Sequence, residues 1–437
     1  MDGSIDFQPY LSSICHNYGE WWKLYTLTDI EGKDTGSSEP NKQTALFDFG
    51  LMMQSVNKRE PEASQQKKTE KLERRPVLDG LRKSWVEAKH ILLVGRPGSG
   101  KSTALARLLL EEAQQNQGDT GEKRISVLVE LRSYKTSVLD LIQDFFRRHN
   151  LNLEIQQVET LLSQNRLLLL VDGLNELPSE AARQDIAKLR NHRRVPMIFT
   201  TRDLSLGGDF GIEKQWEMLP LTEPQMKEFI RAHLSPEQAD AMWRQLQDRT
   251  RKFAETPLLL WMLCELFGQV EEIPHNLGEV FRTFTRTYEN SSIRKYEIAA
   301  LKGDVQSLSD RRLWFPALKH LAYLMMQGET PVDSRTVISR EEAEEKLKAL
   351  FSEETSPSEV ARNCLDDLLK YHLLQIKSGN EIEFRYQLFQ EYYAAEWLLQ
   401  RLPNLTDEQL KYYFLNYLKW TEAIALMLGL LDSQLKT

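Results

Sequence analysis

The sequence predicts an α/β domain, a parallel sheet with helices on both faces, followed by a helical subdomain and a winged-helix domain. A glycine-rich loop at 95–102 stands between an apolar run and a helical pattern. Short apolar runs and helical patterns then alternate as far as Leu221, which favours a parallel sheet covered on both faces. Further along the chain, three helical patterns precede a hairpin-like pair of strands, the order of a winged-helix module.

The α/β pattern consists of five apolar runs and four amphipathic segments. Ligands of such a sheet bind at the carboxyl ends of its strands, so we expect a site there. The predicted strands are Ile91–Val94, Ser126–Leu131, Leu167–Val171, Pro196–Thr200 and Trp216–Leu219, and the predicted helices are Ser102–Gln115, Ser137–His149, Ile155–Gln164 and Glu180–His192.

The glycine-rich loop reads Gly-Arg-Pro-Gly-Ser-Gly-Lys-Ser, the pattern of a phosphate-binding loop. Its glycines let the backbone wrap closely around an anion, and Pro97 stiffens the turn. Lys101 is expected to reach the β- and γ-phosphates, and Ser102 to offer its hydroxyl to Mg²⁺. The loop therefore predicts the binding of a nucleoside triphosphate. The predicted nucleotide-binding residues of this segment are Gly95, Arg96, Pro97, Gly98, Ser99, Gly100, Lys101, Ser102 and Thr103.

Polar residues at the ends of the next strands predict the rest of the site. Asp172 ends the run Leu167–Val171 and is expected to hold Mg²⁺ through its waters, as a metal ligand alongside Ser102. Glu176 is placed to act as general base. Arg202 follows the next strand, where it can sense the γ-phosphate. With Lys101, these are the predicted catalytic residues. The alternatives are a turn that merely ends a buried strand and, for Arg202, a surface arginine on a loop.

The chain divides into six segments by composition and pattern. The three helices before the hairpin are Arg312–Met326, Arg340–Phe351 and Pro357–Lys370, and the two strands are Leu373–Ile376 and Ile382–Tyr386. The segments are a short N-terminal region of unknown role at 1–55, a charged linker or solvated helix at 56–75, the nucleotide-binding domain at 76–221, a first helical domain at 222–270, the winged-helix-containing helical region at 271–402, and the start of a C-terminal helical region at 403–437.

Composition excludes several classes of protein. The net charge of −8 gives no overall nucleic-acid footprint. The longest apolar runs, such as Leu258–Cys264, are far below membrane-spanning length, and the acidic start of the chain does not resemble a signal peptide. The three cysteines lie far apart, which favours a reducing, cytoplasmic setting.

In these motifs the chain resembles the NACHT family of STAND NTPases, the nucleotide-binding module of NOD-like receptors and their bacterial relatives. Two further segments carry the resemblance: Glu255–Cys264 is similar to the family's Pro-containing motif, and Phe384–Ala395 to its winged-helix motif. It extends over about residues 72–435 and is strongest with bacterial, including cyanobacterial, members. The resemblance implies an α/β P-loop NTPase fold, ATP or ADP with Mg²⁺ as cofactors, and nucleotide contacts from Pro257 and Tyr386.

Two positions depart from the family pattern. Asn175 stands where the family has a second acidic residue, which leaves Glu176 as the candidate base. Tyr386 stands where the family has a histidine that touches the β-phosphate of ADP in the closed state. A tyrosine hydroxyl can donate a hydrogen bond but brings no positive charge near neutral pH. The other interpretation of Tyr386 is a tyrosine that packs against the core.

The resemblance implies a signalling switch with slow, Mg-dependent ATP hydrolysis. Exchange of ADP for ATP would open the protein and favour self-association into a homo-oligomer that activates an effector, with anti-phage defence as one setting. The sequence identifies neither effector nor trigger. Two alternatives stay open: a remodelling ATPase of the AAA+ type and a winged-helix transcription regulator. Against the regulator, the helix before the predicted wing is net acidic and would repel phosphates.

Overall fold

The structure is a computed structural model of the 437-residue chain. It describes residues 5–24, 50–56, 73–117, 124–177, 180–192, 195–202, 212, 214–246, 248–287, 311–328, 335–370, 373–377, 380–384 and 386–436. These residues form two compact units. The first comprises the described chain up to residue 232 together with 256–258, and the second comprises 233–255 and the chain from 259 onward.

A seven-stranded sheet forms the centre of the first unit. Its order is β2-β1-β7-β3-β6-β5-β4, in which β7, β3, β6, β5 and β4 run parallel and β1 and β2 are antiparallel additions at one edge. All five predicted parallel strands are observed, so the predicted fold class is confirmed. The strands are β1 Met52–Ser55, β2 Arg74–Pro76, β3 His90–Val94, β4 Ile125–Glu130, β5 Leu167–Asp172, β6 Met197–Thr201 and β7 Lys214–Met218.

Helices pack against this sheet and bury its apolar strands. Most residues of β3, β4, β5 and β6 are buried, as expected of strands that are covered by helices. The four predicted helices are observed within one or two residues of their expected ends. The helices that begin in this unit are α1 Gln8–Leu24, α2 Val77–Glu87, α3 Lys101–Asn116, α4 Val138–Arg148, α5 Ile155–Ser163, α6 Glu180–His192 and α7 Glu223–His233.

The N-terminal part of the first unit contains a helix, α1, and two strands, β1 and β2, that the sequence analysis did not predict. Strands β1 and β2 flank the segment predicted as a charged linker, most of which lies outside the described residues, and both belong to the sheet. Helix α1 packs on α3, and the Tyr10 hydroxyl donates a 2.6 Å hydrogen bond to the carbonyl oxygen of Ser126 on edge strand β4. The N-terminal region therefore contributes to the core of the nucleotide-binding domain.

The second unit is mainly helical and contains a three-stranded antiparallel sheet in the order β8-β10-β9. The three predicted helices and the hairpin are present, and β8 joins the hairpin. The winged-helix assignment stays a prediction. The elements are α8 Pro236–Gln245, α9 Asp248–Ala254, α10 Pro257–Val270, α11 277–287, α12 Trp314–Gln327, β8 Val337–Ser339, α13 Arg340–Leu350, α14 Pro357–Lys370, β9 Leu374–Lys377, β10 Glu381–Phe384, α15 Gln387–Arg401, α16 Asp407–Leu410 and α17 Thr421–Lys436.

Within the described ranges, no helix combines the length and the apolar character that are needed to cross a bilayer.

Candidate nucleotide-binding site

The glycine-rich loop connects β3 to α3 at the carboxyl edge of the sheet. Gly98 and Gly100 have φ values of +74° and +92°, a region that side chains other than glycine rarely adopt. Gly100 is the N-terminal cap of α3, and its carbonyl accepts a hydrogen bond from the backbone N–H of Ala104 at 2.8 Å. A Cβ at Gly98 would lie 3.0 Å from Cβ of Leu258. Conformation and close packing therefore both require glycine at position 98.

Lys101 is held across this loop by backbone carbonyl groups. Its Nζ donates to the carbonyl oxygen of Gly95 at 2.6 Å and to that of Arg96 at 3.1 Å. Burial, and then the charge of Arg202, lower the pKa of Lys101 to about 8, although Asp172 and Glu176 oppose this shift. Because a buried ammonium beside another cation is stabilised by anions, the loop fits phosphate groups. Ser102 is exposed in the first turn of α3, as a metal ligand requires.

Asp172 is fixed at the end of β5 by the neighbouring strand. The hydroxyl of Thr200, on β6, donates to Oδ1 of Asp172 and accepts a 2.9 Å hydrogen bond from the backbone N–H of Gly173. The carboxylate of Asp172 and the hydroxyl of Ser102 are hard oxygen ligands of the kind that Mg²⁺ prefers. These two residues would hold the ion, which would supply positive charge for the phosphates.

Glu176 is brought back toward β5 by a sharp turn. Gly173 has a φ of +84°, and its carbonyl accepts a 2.8 Å hydrogen bond from the backbone N–H of Glu176. A Cβ at position 173 would lie 2.7 Å from Oε2 of Glu176, so any other residue there would displace the Glu176 side chain. Burial, together with the negative charge of Asp172, raises the pKa of Glu176 to about 7. A carboxylate with this pKa is suited to accept a proton near neutral pH.

Arg202 is tied to the same turn through Asn175. The backbone N–H of Arg202 donates to Oδ1 of Asn175 at 3.1 Å, and the carbonyl of the preceding residue, Thr201, accepts from the backbone N–H of Gly95 at 3.2 Å. Charges of Lys101, Asp172 and Arg202 all act on Glu176. The structure thus brings the four predicted catalytic residues together, while their roles stay predictions.

The other two predicted nucleotide-binding residues lie in different units. Pro257 opens α10, and the backbone N–H of Leu258 next to it donates to the carbonyl oxygen of Gly98 at 3.4 Å. Tyr386, in the second unit, is half-buried, with its ring centroid 5.7 Å from that of Phe389. The contacts of Pro257 and Tyr386 with nucleotide stay predictions.

Sequence reasoning did not identify the positioning roles of Thr200 and Asn175. Thr200 appeared only as the polar end of a strand, and Asn175 only as a lost carboxylate. A buried Thr-Thr pair at the end of an otherwise apolar strand is a signal that could have drawn attention to Thr200.

A glycine-rich anion-binding loop, with a lysine at the start of its helix and an acidic strand end beside it, defines the class of P-loop nucleoside triphosphatases. Residues 89–237 match the family model described as the NACHT domain. The protein therefore carries a NACHT domain over these residues.

Among curated proteins, the chain is similar to a member of the NLR family. The chain is 26% identical over 205 residues to the mouse (Mus musculus) NLR family CARD domain-containing protein 4, a match that covers 44% of this chain and 20% of that protein. The chain thus spans about a fifth of the length of the curated relative that it matches.

Solved structures show a distant likeness. One is a Signal Transduction ATPase with Numerous Domains (STAND) protein with a tetratricopeptide repeat sensor from Pyrococcus horikoshii, with a TM-score of 0.35 and 13% identity over 76% of this chain and 45% of that chain. Another is a Walker-type ATPase of Pyrococcus abyssi, with a TM-score of 0.31 and 14% identity over 72% of this chain and 94% of that chain.

Proposed function

We propose that the protein is a signalling switch that binds ATP or ADP with Mg²⁺ and hydrolyses ATP slowly. The observation that carries this proposal is the grouping of Lys101, Glu176 and Arg202 at one edge of the sheet, joined by the Asn175–Arg202 hydrogen bond. The NACHT domain match supports the same class of activity. Adenine is proposed from the family resemblance.

The chemistry is divided among few side chains. Lys101 binds the β- and γ-phosphates, and Ser102 with Asp172 holds the metal ion. The carboxylate of Glu176 accepts a proton from the attacking water, and Arg202 senses the γ-phosphate. Hydrolysis is expected to be slow because an arginine supplied by a partner is worth on the order of 10³–10⁵ in rate in related enzymes, and the sequence identifies none here.

The switch depends on differential affinity for the two nucleotides. A ligand shifts a conformational equilibrium only by as much as its affinities for the two states differ. ADP would favour a closed state and ATP an open state that self-associates and activates an effector. Anti-phage defence is one setting that the resemblance suggests, and the trigger and the effector remain to be identified.

The first experiment is to denature the purified protein and identify the released nucleotide by ion-exchange chromatography. We expect ADP in near-stoichiometric amount, because a switch of this kind retains its product. The Glu176→Gln variant, purified in the same way after incubation with ATP, should release ATP instead. An empty wild-type protein with rapid steady-state turnover would indicate a remodelling ATPase, and a salt-sensitive shift of duplex DNA would indicate a transcription regulator.

A further inference from the structure

A short turn after edge strand β4 lies against the turn that carries Glu176. Strands β4 and β5 pair in parallel register, with Glu130 opposite Asp172 at their carboxyl ends. Each strand then enters one turn of 3-10 helix, Leu131–Ser133 after β4 and Leu174–Glu176 after β5, and these two turns are in contact. Leu131 and Leu174 are both fully buried. The register therefore places Arg132 beside the turn of Glu176.

The guanidinium of Arg132 is held by Glu130, the last residue of β4. Its Nη2 donates to Oε1 of Glu130 at 2.6 Å, and the side chains of Arg132 and Glu130 are 27% and 16% exposed. Oε2 of the same carboxylate lies 4.0 Å from Nη1 of Arg148 on α4. A mostly buried ion pair of this geometry restricts both side chains, so Arg132 has a defined position.

The chain that comes directly after this turn is bonded to α6, the helix that follows Glu176 along the chain. Oδ2 of Asp185 on α6 accepts a 2.8 Å hydrogen bond from the backbone N–H of Val138 and a 3.2 Å hydrogen bond from the hydroxyl of Tyr134. The backbone N–H of Tyr134 donates to the carbonyl oxygen of Leu131 at 3.1 Å. Displacement of the Arg132 turn would therefore break contacts with the segment after the candidate base.

Among the residues that the structure describes, four charged groups act on Glu176. Asp172 of β5 raises its pKa, whereas Arg132, Arg202 and Lys101 lower it. Arg132 has the largest effect of the three cations. Lys101 and Arg202 are proposed to be engaged with phosphate, so Arg132 is the cation among these described residues that can act on the carboxylate of Glu176.

We propose that Arg132 is a positioning residue for hydrolysis, which orients the Glu176 carboxylate from the turn after β4 without touching nucleotide. This inference rests on the proposed function. It differs from a purely structural role because the effect of Arg132 passes through one side chain, that of Glu176.

The test compares Arg132→Gln with Arg132→Lys, which keeps the charge. Arg147→Gln is the matched control, since Arg147 is an exposed α4 arginine whose Nη2 lies 2.6 Å from Oδ1 of Asp144. ATP affinity and the single-turnover rate of hydrolysis are measured for each variant. We expect Arg132→Gln to reduce the rate about tenfold or more with less than about threefold change in ATP affinity, Arg132→Lys to recover most of the rate, and Arg147→Gln to match the wild type.

A double variant separates positioning from general loss of structure. In a Glu176→Gln background, Arg132→Gln should cause no further loss of rate, because the group through which it acts is already gone. If Arg132→Gln does not fold, Glu130→Gln carries the test: it keeps the guanidinium but removes the negative charge that pairs with it, and the rate should fall several-fold with ATP affinity retained.

Three results would overturn the inference: an unchanged rate in Arg132→Gln, a parallel loss of ATP affinity and rate, or additive losses with Glu176→Gln. A wild-type protein that binds ATP but never hydrolyses it overturns the proposed hydrolysis as well. The wild-type measurement therefore distinguishes failure of the proposed function from failure of the inference about Arg132.

Discussion

Oδ1 of Asn175 accepts a hydrogen bond from the backbone N–H of Arg202 at 3.1 Å, and this contact joins the turn after β5 to the end of β6. At this position the family has an acidic residue, so the sequence alone suggests that Asn175 has lost the function of a carboxylate. An amide oxygen accepts a hydrogen bond as a carboxylate oxygen does, but it adds no negative charge beside Glu176. The substitution therefore preserves the connection between the two strands and lowers the local negative charge.

Asn175→Ala should weaken the site by removing this acceptor. A part-buried backbone N–H that loses its partner costs about 1–3 kcal/mol, and Arg202 should lose its fixed position. We expect lower thermal stability and slower hydrolysis, measured by calorimetry and by phosphate release. Asn175→Asp is the matched control because it retains the acceptor and should keep the stability. Equal stability of the alanine variant and the wild type would show that the contact is dispensable.

Lys101→Ala should abolish binding of a nucleoside triphosphate, because Lys101 is the ammonium held across the phosphate loop. Lys83→Ala is the matched control. Lys83 lies on α2, with 52% of its side chain exposed, and pairs at 4.0 Å with Glu87. An exposed pair of this kind contributes about 0–1 kcal/mol. Isothermal titration with ATP and Mg²⁺ should therefore show binding for Lys83→Ala and none for Lys101→Ala; retained affinity in Lys101→Ala would contradict the assignment.

The sequence predicted the parallel strands and the loop because their signals are local. The run Leu167–Val171 is apolar at every position, and Gly98, Gly100 and Lys101 form a motif that needs no tertiary information. The start of helix α4 is also predictable from the sequence, because serine is a common N-cap residue. The side chain of Ser137 accepts a hydrogen bond from the backbone N–H of Asp140.

The rest of the fold depends on long-range pairing that no local pattern reveals. Met52–Ser55 is only four residues long and pairs with β7, which lies far along the chain. The same limit applies to the site. From the sequence alone, Thr200 is only a polar residue at the end of a strand. Its hydrogen bond to Asp172 becomes apparent only when β6 is known to pair with β5.

Thr200→Val should impair hydrolysis more than nucleotide binding. The hydroxyl of Thr200 bridges Asp172 and the backbone N–H of Gly173, and valine keeps the shape but removes both hydrogen bonds. Loss of a partner that orients a metal ligand typically costs about 10–100-fold in metal affinity or activity. Titration of hydrolysis with Mg²⁺ measures this effect. Thr200→Ser retains the hydroxyl and should behave nearly as the wild type, so equal defects in the two variants would argue against the bridge.

Tyr10→Phe should destabilise the nucleotide-binding domain, because α1 is part of its core. Tyr10 is 1% exposed, and its hydroxyl is bonded to the carbonyl oxygen of Ser126 at 2.6 Å. Removing one partner of a buried hydrogen bond costs about 1–3 kcal/mol. Tyr413→Phe, at a tyrosine that is 48% exposed, is the control and should change stability by less than about 0.5 kcal/mol. Calorimetric midpoints that do not differ between the two variants would place α1 outside the folding core.

Glu176→Gln should stabilise the nucleotide-free protein at high pH. Burial raises the pKa of Glu176 to about 7 from an unfolded value of 4.5, so between these two values the folded protein binds more protons than the unfolded one. Stability contributed by this group is therefore fully present below pH 4.5 and is lost as the pH rises through 7. Glutamine cannot ionise, so the variant should be more stable than the wild type by about 1–3 kcal/mol at pH 8, with the difference nearly gone at about pH 4. Denaturation in urea at both pH values, with a chelator present, measures the difference, and a gap independent of pH would show that the Glu176 carboxylate is ordinarily solvated.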